Sequence, residues 1–183
     1  MLKKIAFIIA FSSMLYSLTG CTQANNLPPG CSGKDVLLDS SFFAKPGVTD
    51  SGVQSPLPEG TKDSAGITLY LSRGFLIQQI YPYSSYSRAE SEYNENLRDP
   101  VFGEQGIDKA WSIPEEIEFL EIKADNIRVA CGEQNNIPMC RAIFHHGNYY
   151  VKVNGHMYEE DISVTDFIQL INELDARIKN CVE

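Results

Sequence analysis

The chain is 183 residues long and carries 15 lysines and arginines against 24 aspartates and glutamates, a formal net charge of −9. That length fits one ordinary domain with a real hydrophobic core. The acidic balance argues against nucleic acid and anionic headgroups as partners, because such a surface repels both. It suits the steering of a partner with a basic patch, although it also serves plain solubility, and charge alone does not separate the two.

The N-terminus opens with Lys3 and Lys4, then an apolar run from Ile5 to Leu15 interrupted only by Ser12 and Ser13. The small residue Gly20 follows, directly before Cys21. Basic start, apolar stretch and small residue make a secretory signal. The run is well short of the ~20 residues that span a bilayer. The box Leu18-Thr19-Gly20-Cys21 resembles the lipobox of bacterial lipoproteins. That resemblance implies cleavage before Cys21, a diacylglyceryl thioether on its sulfur and acylation of the new amino group. Residues 1–20 take two basic residues with them, so the remainder holds 13 basic against 24 acidic residues, a balance of −11. Membrane attachment would then rest on the lipid anchor alone, and several acyl chains hold far more firmly than one. Thr22 stands where an inner-membrane lipoprotein often carries Asp, and by resemblance to known sorting behaviour this favours the periplasmic face of the outer membrane.

Residues 21–65 read as a lipidated tether followed by an irregular arm. Pro28-Pro29-Gly30, Pro46-Gly47 and Pro56-Leu57-Pro58-Glu59-Gly60 break any regular pattern. Phe42 and Phe43 are candidates to dock on a core, and Val36-Leu37-Leu38 reads as a short edge strand. The globular domain is expected over residues 66–183. Ile67, Leu69 and Leu71 alternate with Thr68 and Tyr70 as in a half-buried strand, Arg73-Gly74 reads as a turn, and Phe75 to Ile80 as the returning strand. Ser87 and Glu90 have capping-box spacing for a helix over 88–97, stopped by Asp99-Pro100. Strands are predicted at 117–122, 126–131, 139–145 and 148–153, with Gly147 in a tight turn between the last two. In the last of these Tyr149, Val151 and Val153 face one way, with Tyr150 and Lys152 opposite. Ser163 and Asp166 start a helix whose Phe167, Leu170, Ile171, Leu174 and Ile178 recur at helical spacing. The predicted fold is α+β: a mainly antiparallel sheet with a C-terminal amphipathic helix packed on one face.

Beyond Cys21 there are four cysteines, an even number that reads as two disulfides in an exported domain. Three pairings are open. Cys131–Cys140 brackets a turn-rich loop between two strands, and Cys31–Cys181 clips the arm to the last helix, so this pairing is preferred. The spacing fits no common zinc pattern.

Catalytic motifs are missing: there is no G-x-S-x-G, no H-E-x-x-H and no P-loop. Neither a cofactor nor a metal is implied. The nearest constellation is His145, His146 and His156 with Glu159, Glu160 and Asp161. Two adjacent histidines on a strand point to opposite faces, so these three read as surface histidines flanking a hairpin turn. Tyr81, Tyr83, Tyr86 and Tyr93 crowd a polar segment, followed by Phe102 and Trp111. Rigid rings near the surface suit a protein interface, against core padding as the simpler role of any single ring. Tyr83, Tyr86, Tyr93 and the Asn135–Asn136 loop are the candidate partner contacts.

One pattern lies in the last third: Cys140-Arg141-Ala142, Phe144, Gly147-Asn148-Tyr149-Tyr150-Val151-Lys152-Val153, an acidic turn, Thr165-Asp166-Phe167, Leu170-Ile171 and Leu174-Asp175-Ala176-Arg177-Ile178. Together with the lipobox and the size, it resembles small lipoproteins that serve as immunity proteins against type VI secretion lipase effectors. The resemblance spans about residues 140–178 and holds no invariant chemical motif. It implies a non-enzymatic, periplasm-facing anchor that captures a cognate secreted phospholipase and blocks its active site. None of the candidate contacts comes from it. The competing expectations are an envelope structural or assembly lipoprotein binding a resident protein, and an enzyme or metal-binding protein using the three histidines.

Overall fold

Period-two alternation of apolar residues builds most of this molecule. A computed structural model describes residues 30–102 and 111–182; Cys21 and the signal segment lie outside them. Three N-terminal elements, α1 (Gly33–Val36), a 3₁₀ turn at Ser40–Phe43 and β1 (Thr49–Asp50), precede the hairpin of β2 (Ala65–Leu71) and β3 (Gly74–Pro82). Helix α2 (Tyr86–Asn96) and 3₁₀ turns at Pro100–Phe102 and Glu115–Phe119 lead to β4 (Asn126–Gln134), β5 (Ile137–His146) and β6 (Tyr149–His156). Helix α3 (Val164–Val182) ends the described chain. The six strands form one sheet in the order β1-β2-β3-β6-β5-β4, and every neighbouring pair is antiparallel. This is the α+β fold expected, with the C-terminal helix on one face.

That face carries the main core. Leu69, Leu76, Ile80, Phe144, Val151 and Val153 point to it from the sheet, and Phe167, Leu170, Ile171, Leu174 and Ile178 meet them from α3, all fully buried. Each such side chain contributes about 1.5–3 kcal/mol of burial. Ser163 and Asp166 cap the helix reciprocally: the Asp166 N–H donates to Ser163 Oγ at 3.1 Å and the Ser163 N–H donates to Asp166 Oδ2 at 2.9 Å.

Residues 31–65 share this core. Val36, Leu37, Leu38, Phe43 and Leu57 are buried, and Phe42 packs alongside. The breakers in this stretch prevent long regular elements but not docking of the apolar residues between them. Val36-Leu37-Leu38 is not an edge strand. Val36 closes α1, and Leu38 is fixed by the buried Gln78, whose Nε2 donates to the Leu38 carbonyl at 2.7 Å and whose Oε1 accepts the Leu38 N–H at 3.0 Å. The edge strand is instead β1, paired with β2 through Thr49↔Tyr70 and Asp50↔Leu69.

The strand expected at 117–122 is a 3₁₀ turn, Glu115–Phe119, followed by an extended segment. Asn172 accounts for this: its Oδ1 accepts the Glu121 N–H at 2.9 Å, and its Nδ2 donates to the Phe119 carbonyl at 2.9 Å, so α3 rather than a strand satisfies this backbone. Two disulfides join described residues. Cys31–Cys181 fastens the arm to the end of α3, and Cys131–Cys140 crosses directly opposed positions of β4 and β5. The segment bracketed by the second is not a long loop. The strands run on to Gln134 and Ile137, leaving a two-residue turn, Asn135-Asn136, both with left-handed backbone (φ 55° and 64°). Asn tolerates that conformation better than most residues, and the turn matches the twist of the flanking strands.

Candidate partner-binding face

The sheet face opposite α3 is only partly covered. Helix α2 packs over β5 and β6 through Ala89 and Tyr93, which join Ala130, Ile143 and Tyr150 in a second, smaller core. The helix starts two residues earlier than its capping-box spacing suggests. Ser85 is the N-cap, without a side-chain cap hydrogen bond, so burial of Ala89 and Tyr93 sets the position. Phe102 closes this core from the next turn. On the far side Trp111 lies so close to Gly132 that a Cβ there would stand 2.5 Å from the indole, and the Arg141 guanidinium sits 5.2 Å from the ring.

The candidate residues divide into two groups. Tyr83, Tyr86 and Tyr93 cluster at the α2 end of the sheet. Tyr93 is buried and Tyr86 is 42% exposed, and both meet the His145 ring in T-shaped contacts, at 5.4 and 5.2 Å between centroids. Tyr83 is half-buried beside the β5–β6 turn, where Asn148 Nδ2 donates to its carbonyl at 2.6 Å. Asn135 and Asn136 stand at the opposite end of β5, roughly 30 Å away at the rise of an extended strand. The five residues therefore do not form one surface.

The histidines are also separated. His145 is not a surface residue. It is fully buried, with Nε2 2.9 Å from Asn126 Nδ2 and Nδ1 3.7 Å from the Asp125 carboxylate. Burial holds its pKa below the ordinary value, and Asp125 and Glu90 recover only part of that shift. His146 points to the other face, as alternation requires, where Nδ1 lies 2.7 Å from Asp175. His156 lies on β6 opposite Met139, about six strand residues, or about 20 Å, from the level of His145. The three cannot share one ion.

Two clefts flank the C-terminal end of α2, each of about 410 Å³, and they share Asn96, Asp99 and Lys152 as a common wall. One is lined by aromatic and acidic groups: Tyr81, Tyr83 and Tyr150 with Glu59, Glu92 and Glu95. The other is largely apolar, with Phe75, Ile77, Phe102, Met139 and Ile143. Tyr81 and Tyr150 are paired across β3 and β6 and stack at 5.9 Å. Burial and then Glu92 push the Tyr83 phenol up to about 12. Burial raises Tyr150 further still, so all these phenols stay protonated. The Arg88 guanidinium lies 5.8 Å above the Tyr83 ring and 2.6 Å from the Glu92 carboxylate.

Residue-by-residue reading found the tyrosines of 81–93 but not this cleft. The alternation along β6 does put Tyr150 and Lys152 on this face. The pairing of β3 with β6, which brings Tyr81 against Tyr150 from 69 positions away, has no local signal. Chemically the face offers ring surfaces, carboxylates and an apolar groove, which suit recognition of another protein. Comparison with protein-family models, curated proteins and solved structures finds no match to this chain.

Proposed function

We propose that this chain is an outer-membrane-anchored periplasmic lipoprotein that binds and inhibits a secreted phospholipase, acting as an immunity protein. The observation that carries the reading is the lipobox ending in Cys21 ahead of a disulfide-fastened domain with a partly uncovered aromatic face. Tethering at the membrane would concentrate the inhibitor where an envelope-directed lipase acts. A preformed, cross-linked surface limits the ordering cost of tight binding. The choice of a phospholipase rests on the resemblance across residues 140–178. Inhibition needs no catalytic residue from this chain.

The test mixes the full-length protein, purified in detergent, with the lipase encoded beside its gene and follows fatty-acid release from phosphatidylethanolamine vesicles. Stoichiometric loss of release with a co-eluting complex supports the reading. Undiminished release without a complex removes it. An envelope defect on deletion in cells that lack the lipase would instead favour a structural lipoprotein.

A further inference from the structure

We propose that the aromatic and acidic cleft at the end of α2 takes an arginine side chain of the protein partner. That the partner is a phospholipase rests on the reading above, whereas the chemistry of the cleft does not.

The cleft has a buried group with nothing to bind. Tyr150 lines it and is only 2% exposed, and its hydroxyl has no hydrogen-bond partner among the described residues. The charged and phenolic groups its hydroxyl senses include Tyr81, Glu92 and Tyr83, all on the cleft wall. A buried hydroxyl left unpaired costs about 1–3 kcal/mol, so a ligand donor that reaches it recovers that loss.

The charges around it favour a cation. Glu92 is already paired with Arg88, and Asp99 with Arg141 at 3.1 Å. Glu59 and Glu95 are exposed and have no ion-pair partner among the described residues. Lys152 is the cation lining the cleft, and Asn96 Oδ1 holds its Nζ at 3.1 Å. Two carboxylates without an ion pair, Glu59 and Glu95, therefore face one ammonium group, and Glu92 and Asp99 add acceptor oxygens beside their arginines. A metal ion fits poorly, because no group of three acidic, histidine or cysteine ligands converges among the described residues.

A guanidinium fits better than an ammonium. It stacks on phenol rings, pairs with a carboxylate through two N–H groups and keeps further N–H donors for the Tyr150 oxygen. The chain shows the same chemistry at the rim, where its own Arg88 lies over Tyr83 and pairs with Glu92. The shared wall leads into the apolar cleft of Phe75, Ile77 and Ile143, so an arginine seated here would bring its apolar neighbours onto that groove.

The test has two arms. In the first, the full-length protein in detergent is titrated with N-acetyl-arginine amide while the tyrosine ring signals are followed by NMR. Saturable shifts centred on Tyr81, Tyr83 and Tyr150 are expected, several-fold weaker with the lysine amide and missing with the citrulline amide. The exposed double substitution Glu59→Gln with Glu95→Gln should weaken binding at least about fivefold without changing Tm. Equal shifts from citrulline, or shifts spread over the acidic surface and unchanged by the substitutions, overturn the assignment. In the second arm the same double variant is assayed against the adjacent-gene lipase. Inhibition unchanged from wild type removes the cleft as the partner contact and leaves the inhibitor reading standing. Arginine binding by a wild-type protein that fails to capture the lipase supports the cleft and sinks that reading.

Discussion

The phenol hydroxyl of Tyr149 takes both backbone groups of Cys31, accepting from its N–H at 3.0 Å and donating to its carbonyl at 2.8 Å. Cys31 is also bonded to Cys181, 150 residues away in sequence. The start of the described chain is thus fixed to the first residue of β6 and to the last turn of α3. Tyr149→Phe keeps the ring in the core but leaves two backbone groups without a partner. We expect a loss of about 1–3 kcal/mol, read as a lower urea midpoint with an unchanged slope.

The two disulfides should differ in weight. Cys31–Cys181 closes almost the whole domain, and on the chain-entropy model contributes up to about 5 kcal/mol. Cys131–Cys140 closes a separation of nine residues in a hairpin that is already paired, about 2–3 kcal/mol on the same model. Paired Cys→Ser substitutions compared by urea melting should place the Cys31/Cys181 variant well below the Cys131/Cys140 variant. The reverse order would mean that the hairpin, not the arm, depends on its cross-link.

Gln78 is the second fastening of the arm. Its amide is fully buried and matches both backbone groups of Leu38. Gln78→Leu is close to it in size but leaves a buried N–H and a buried carbonyl unpaired. A loss of about 2–4 kcal/mol is expected, with faster proteolysis around residues 37–45 than elsewhere.

Stability should fall with acid in two stages. The folded pKa of His145 is depressed, chiefly by burial, so the folded state binds fewer protons than the unfolded chain. Stability contributed by the neutral ring is present above about pH 6.5 and declines as pH falls below it. Burial alone would raise Asp166, but the hydrogen bonds from Lys45 and Ser163 outweigh it and leave the carboxyl depressed. Its contribution is present above the ordinary Asp value and is lost as pH falls through the lower folded value. Asp166→Asn should flatten the second stage and lower the neutral-pH stability by about 1 kcal/mol through the weakened cap. Melting curves between pH 3 and 8 check both.

What the sequence made legible was whatever repeats along the chain. Alternation in β2, β3, β5 and β6 and the stripe of α3 depend on nearest neighbours, and they located the sheet, the helix and the buried face. Asp166 and Ser163 are three residues apart, so that cap was visible as well. What was missed depends on partners distant in the chain. The segment 117–122 has strand-like residues, but Asn172 captures its backbone. Val36 to Leu38 look extended, but Gln78 and α3 decide their place. His145 sits beside a turn and reads locally as a surface residue, yet α2 folds back and buries it under Tyr86 and Tyr93.

The same distinction bears on where the proposed partner would bind. The turn Asn135-Asn136 and the Tyr86 cluster both looked like contact sites, but they lie at opposite ends of β5. A standard interface covers about 800 Å² per partner, and its binding energy concentrates in a few central residues rather than at both margins. The aromatic end has the exposed ring and the cleft of tyrosines and carboxylates, whereas the Asn turn adjoins only the apolar cleft, through Gln134 and Met139. Asn136→Gly removes a side chain from a left-handed position that glycine adopts freely, so it should keep or slightly raise stability and leave lipase capture within about twofold. Tyr86→Ala removes a half-exposed ring and should weaken capture by about tenfold or more while the fold is kept, since Tyr93 still covers His145. Titration calorimetry of the two variants against the lipase decides between the ends: loss of affinity at Asn136 with none at Tyr86 would move the contact to the hairpin tip.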